Sequence, residues 1–221
     1  MNSINLMPEH SIAPYANEGL NRIYGLLFCD TIDLYKSETK PTGYPWDTLL
    51  SDNPDPNELT AITTDNTLET RQQLLAYNLL RAKGFPVHTK ALLGVIIEVS
   101  LGDGLDVLAA YSDGTCRYIN HIESLLVWDT QTEKTNQLVG QLFSDSLNVV
   151  KRIGPWDQAR TTFPGEGMVK LTFLVSDGLY FGQGPFDVLQ NDSMGGPVID
   201  SATRLMTYLI DQRIASNKST K

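Results

Sequence analysis

Hydrophobic and polar residues alternate most regularly between Val95 and Tyr118. Val95, Ile97, Val99 and Leu101 occupy every second position, the period of a strand with one apolar face. After Gly102-Asp103-Gly104 the same alternation returns in Leu105, Val107, Ala109 and Tyr111. Asp113-Gly114 marks a second reversal, and a third strand is expected from about Thr115 to His121. With three residues in the first loop and two in the second, Leu101 faces Leu105 and Ser112 faces Thr115. Val95, Ile97, Val99, Leu101, Leu105, Val107, Ala109 and Tyr111 then share one core face with Cys116 and Tyr118, and Ser100, Asp106 and His121 fall in a row on the other.

Around this meander the period changes to that of helices. Leu20, Ile23, Tyr24, Leu27 and Phe28 predict an amphipathic helix within residues 14–29. Residues 37–65 carry four prolines and a concentration of acids, so an irregular segment with short helical turns near Trp46 and Glu58 is expected. A helix over 66–83 follows from Leu68, Leu75, Leu79 and Ala82, with Asn66 and Glu69 as a capping pair and Gly84 as the stop. Leu125 to Trp128 reads as a short strand or a strand end. Thr130 and Glu133 open a helix running to about Arg152. Val169, Leu171, Phe173 and Val175 begin a second hairpin that turns at Ser176-Asp177-Gly178 and returns through Leu179–Phe186. A last helix is expected from Pro197 to about Ile214, with a flexible tail over 215–221.

The pattern as a whole predicts an α+β fold: a mainly antiparallel five-stranded sheet, made of a three-stranded meander plus a hairpin, packed with helices. Residues 1–65 form an N-terminal helical and irregular extension, after a loose arm over 1–13, and 66–214 the core domain. Over 66–214 the order of elements resembles longin, roadblock and profilin-type layouts. The resemblance is topological, and implies an adaptor or regulator that presents a sheet edge or a helix pair.

Composition narrows the classes. A 221-residue chain that is 41% hydrophobic and 19% charged is that of a globular protein. No apolar run has the length to span a bilayer. Gly25–Cys29 is a short apolar run between Arg22 and Asp30, not the layout of a signal peptide, so a cytoplasmic location is expected. The only cysteines, Cys29 and Cys116, read as buried thiols. Net charge is −9, of which residues 1–65 carry −7, and no basic patch suits a phosphate backbone or an anionic membrane. Nucleic acid and membrane are thus not expected partners. A protein partner is expected, and self-association is compatible with the pattern.

Candidate chemistry is sparse. The row Ser100, Asp106, His121, with Arg117 nearby, places the acid in the middle, whereas a hydrolytic triad needs the histidine there. A charge-assisted Asp106–His121 pair remains, as support for a sheet face or as a polar binding site. Gly195-Gly196 ahead of the last helix would leave free amides for an anion. Tyr180, Phe181 and Phe186, set among Gly182, Gly184 and Pro185, form either a contact surface or a lid on the core. Asp192-Ser193-Met194-Gly195-Gly196-Pro197 resembles the GDSGGP signature of trypsin-like proteases, but the inserted methionine displaces the oxyanion amides. The acids of 52–58 lack the spacing and glycine of a calcium loop, and no metal or cofactor is expected. The reading is a non-catalytic protein-interaction or regulatory domain, with a small-molecule site or enzyme around Asp106 and His121 as its alternative.

Overall fold

The computed structural model describes residues 13–36, 41–102 and 104–219. The arm expected over 1–13, save its last residue, lies outside the described residues, as do Asp103 and the last two residues of the expected tail. Four helices come first: α1 (Glu18–Leu27), α2 (Trp46–Leu49), α3 (Pro56–Thr64) and α4 (Thr70–Ala82). Strands β1 (Leu92–Leu101), β2 (Gly104–Tyr111), β3 (Cys116–Ile119) and β4 (Leu125–Trp128) follow. The chain continues through α5 (Glu133–Val150), β5 (Met168–Val175), β6 (Gly178–Pro185), α6 (Phe186–Gln190) and α7 (Gly195–Ser219).

The sheet is antiparallel, in the order β4-β3-β2-β1-β5-β6. It has six strands where five were expected, because the segment at Leu125–Trp128 pairs fully with β3. Asn120 makes that reversal possible: its side chain accepts from Ser124 N at 2.7 Å, while Glu123 takes a positive φ of 63°.

Both faces of the sheet are covered. On one, α5 and α7 bury Val139, Leu142, Leu205 and Leu209 against Val95, Ile97, Leu108 and Phe173. On the other, α1, α3 and α4 bury Tyr24, Leu27, Ile62 and Leu75 against Ile96, Val107, Ala109 and Tyr111. No helix among the described residues is long and apolar enough to cross a membrane.

Several boundaries move from their expected places. The Asp65 carboxylate binds both the amide and the hydroxyl of Thr67, holding residues 65–68 in a turn. Helix α4 therefore starts at Thr70, capped by Glu69 and Gln72 rather than Asn66. Helix α5 is capped by Thr132 with Thr135, two residues beyond the expected pair. Helix α7 is longer at both ends, so the expected tail is helical as far as Ser219.

The meander forms with a different register. Leu101 pairs with Gly104, which makes the first loop one residue shorter than expected and sets Val99 beside Asp106. The second loop is one residue longer. Tyr111 N bonds Thr115 O at 3.0 Å across Ser112-Asp113-Gly114, with Gly114 at φ 84°. The two differences cancel beyond β2, leaving Cys116 and Tyr118 on the Val95 face and turning over only β2.

Gly104 shows why the first loop is short. A Cβ there would stand 2.7 Å from His121 O and 3.0 Å from His121 Cα. Gly104 thus serves a strand that the β3–β4 turn packs against, not the loop. Gly104→Ala is expected to cost about 1–3 kcal/mol, the usual penalty of forcing atoms into a packed site. Gly154→Ala, where an added Cβ meets nothing within 4 Å, is the control. Urea midpoints of the two variants test this, and equal midpoints would contradict the close approach.

Candidate functional site

Asp106 lies near the start of β2, where the β3–β4 turn folds back over it. Its Oδ1 accepts from His121 N at 2.6 Å and lies 2.9 Å from His121 Nδ1. Its Oδ2 accepts from the Tyr118 hydroxyl at 2.9 Å. Burial, and the acid beside it, hold the Tyr118 proton above the ordinary phenol range. Both carboxylate oxygens are engaged, by a backbone amide, an imidazole and a phenol. The corner is built as a rigid polar rim.

That rim borders an apolar groove. Ile97, Val99, Leu108, Phe186, Ala202 and Met206 line a hollow of about 180 Å³ between the sheet and α7, with Asp106 and Tyr118 at its polar end. Beyond the Tyr118 ring a second hollow of about 280 Å³ opens among Leu125, Leu126, Ile210, Arg213 and Ile214. One flank of α7 lines both, through Ile199, Ala202, Thr203, Met206, Ile210, Ile214 and Asn217. Phe186 is 37% exposed over the first hollow and Ile214 47% exposed over the second.

The other sequence candidates lie elsewhere. Ser100 pairs with Leu105 and belongs by alternation to the opposite face from Asp106. Arg117 sits across from Ala109 on that opposite face, where Nη1 bonds Asp129 at 2.7 Å and Cys116 O at 2.8 Å. The expected row of Ser100, Asp106 and His121 is therefore divided between two faces, although Asp106 and His121 touch.

The amides expected to be free at Gly195 and Gly196 are taken by the chain itself. Gly195 N bonds Asp192 Oδ1 at 2.8 Å, and Gly196 N bonds Asp192 O at 2.9 Å. The Gly195 and Met194 amides, both bonded to Oδ1, hold the Asp192 carboxyl below the usual carboxylate range. The two glycines serve a close backbone passage instead: a Cβ on Gly196 would lie 2.5 Å from Gln190 O.

The aromatic segment is split. Tyr180 is buried under Lys90, with its hydroxyl on Asp177, and Phe181 packs edge-on against Trp156 at 5.1 Å. Phe186 alone reaches the groove.

A second polar centre, not recognised in the sequence, lies on the α1 side of the sheet. Glu98 on β1 and Lys170 on β5 are register partners, both fully buried. Glu98 Oε1 accepts from the Tyr24 hydroxyl at 2.5 Å, and Oε2 has no partner among the described residues. Lys170 Nζ donates to Thr161 O, Thr161 Oγ1 and Thr162 O, tying down the segment that links α5 to β5. Burial pushes the Glu98 carboxyl up and the Lys170 ammonium down, while their mutual attraction opposes both shifts. The available signal was one charge in each of two otherwise apolar strand runs, at Glu98 and Lys170.

Compared with models of protein families, with curated proteins and with solved structures, the chain has no match.

The Glu98 environment gives a pH dependence of definite sign. With its folded value raised, the site's contribution is fully present below the ordinary glutamate range and is lost as pH rises through the raised value. Glu98→Gln cannot ionise there. Its urea midpoint is expected to gain on that of the native protein as pH rises above the ordinary glutamate range. Midpoints that stay parallel over that rise would contradict the raised value.

Proposed function

We propose that this protein is a non-catalytic interaction domain that receives an amphipathic helix of a partner protein along the outer flank of α7. The observation that carries the reading is the succession of two hollows along one flank of α7, one on either side of Tyr118. From Ile199 to Asn217 the lining positions recur at helical spacing, a track of about 27 Å at 1.5 Å per residue. Grooves of this kind accept apolar anchors at i, i+3, i+4 and i+7 of the bound helix.

Size separates this reading from a small-molecule site at the same place. A hollow of about 180 Å³ suits individual side chains, below the roughly 300–1,000 Å³ usual for small-molecule pockets. Asp106 Oδ1 takes two hydrogen bonds and Oδ2 one, all from the protein itself, which supports a structural role for this carboxylate at the rim of the groove. Asp106, beside Tyr118 at the junction of the two hollows, and Arg213 in the second would fix the direction of the bound helix.

Selection from a displayed library of helical peptides tests the proposal. The expected binders carry apolar residues at those spacings. Thr203→Trp, filling the first hollow from an exposed position, and Ile214→Asp, in the second, should each weaken them by about tenfold or more while circular dichroism stays unchanged. If no helical peptide is enriched, or if both variants bind as the native protein does, the assignment fails.

A further inference from the structure

A larger depression lies on the other face of the molecule. It has a volume of about 940 Å³ and is bounded by α1, the start of the 3-10 turn at Ile32–Tyr35, α4, the β5–β6 turn and the segment Trp156–Arg160. Phe28, Leu34, Leu74, Leu174 and Leu179 give it an apolar lining. This volume is within the range of sites that bind small molecules.

Its polar lining has the opposite sign to the protein as a whole. Three arginines, Arg22 from α1, Arg81 from α4 and Arg160 from the linking segment, meet two acids, Asp30 and Asp177. The chain carries −9 overall. Only Arg160 is neutralised by a bonded acid, with Nε 2.7 Å from Asp30 Oδ2 and its guanidinium 3.7 Å over the Phe28 ring. Arg81 gives Nη1 to Ser176 O at 2.6 Å and Nη2 to Asn78 Oδ1, both neutral oxygens. Arg22 Nη2 donates to Leu34 O at 2.8 Å. Among the described residues neither Arg22 nor Arg81 has an acid within ion-pair distance; Asp177, whose charge attracts Arg81 from farther away, has Oδ2 on the Tyr180 hydroxyl and Oδ1 buried without a partner.

The exposed Arg22 and the partly buried Arg81 hold only carbonyl and amide oxygens and retain donors and charge that an anion would satisfy, because arginine presents five donors in a planar fork. Burial without a bonded carboxylate also holds Arg81 below its ordinary range. The apolar walls call for a body attached to that charge, and the two acids disfavour a polyanion.

We infer that this cleft binds a small organic anion, a carboxylate or phosphate monoester headgroup on an apolar body, held by Arg22 and Arg81. Hexanoate and butyl phosphate are suitable probes, with hexanol as the neutral control. Calorimetry would measure affinity at low ionic strength, and the NMR signal of the Trp156 indole, which lines the cleft, would report location.

At least one anion is expected to bind, to move the Trp156 signal and to weaken as salt is added. Arg22→Gln and Arg81→Gln should each reduce its affinity about tenfold or more, as loss of a charged hydrogen bond does. The better headgroup identifies the class. Should Arg81→Gln fail to fold, Arg22→Gln, which removes only one contact to Leu34 O, decides alone. Three results would each overturn the assignment: neither anion binds, the Arg22→Gln affinity equals the native one, or hexanol binds as tightly as hexanoate.

Discussion

Covering an antiparallel sheet on both faces removes the usual distinction between its inside and its outside. Every central strand must then be apolar on both sides, and any polar group placed there must find its partner inside the protein. The second core is the demanding one, since it buries Glu98 and Lys170 beside Tyr24. Their satisfaction depends on elements distant in the chain: a tyrosine from the first helix and the Thr161 and Thr162 carbonyls. The first helix and the segment before β5 are therefore fixed relative to the sheet by polar contacts as well as by apolar packing.

The same constraint explains which parts of the fold were legible. Period-2 runs identified β1, β2 and β5, the turn at Ser176-Asp177-Gly178 implied β6, and helical spacing identified α1, α4, α5 and α7, because each pattern survives one or two misassigned residues. Register did not survive. In β2 the odd residues Leu105, Val107, Ala109 and Tyr111 and the even residues Leu108 and Ala110 are all buried. Hydrophobicity thus gives no preference for one face over the other. The decision rested on turn glycines, and Gly104 is used for close packing against His121 instead of for a turn. Asp106 and His121 meet nonetheless, since a carboxylate at the end of a ladder reaches across a one-residue slip. Ser100 and Arg117 kept the face expected of them, and the slip in β2 carried Asp106 to the other.

The groove along α7 and the Glu98 centre were hidden for different reasons. The groove is a property of one helix seen against three strands, and the stripe Ile199–Ile214 reads in sequence as ordinary core. The Glu98–Lys170 pair joins strands separated by a long crossover, and a lone charge in a strand does not announce its partner. Both candidate binding surfaces have a common basis. The groove lies where α7 leaves the sheet only partly covered at the meander's end, and the arginine-lined cleft lies where α1 and α4 diverge over the β5–β6 turn.

The ties of α1 to the rest of the molecule bear on how the polypeptide matures during synthesis. The loop after α1 is held by Arg160 bound to Asp30, 130 residues away, and by the Tyr111 hydroxyl on Leu27 O. A ribosome releasing this chain from its N-terminus exposes the apolar flank of α1 long before its anchors exist. Closing loops of that length is slow compared with forming local turns. The layer made first is consequently completed last, and the nascent protein carries an uncovered Leu20–Tyr24–Leu27 surface until its second hairpin has emerged.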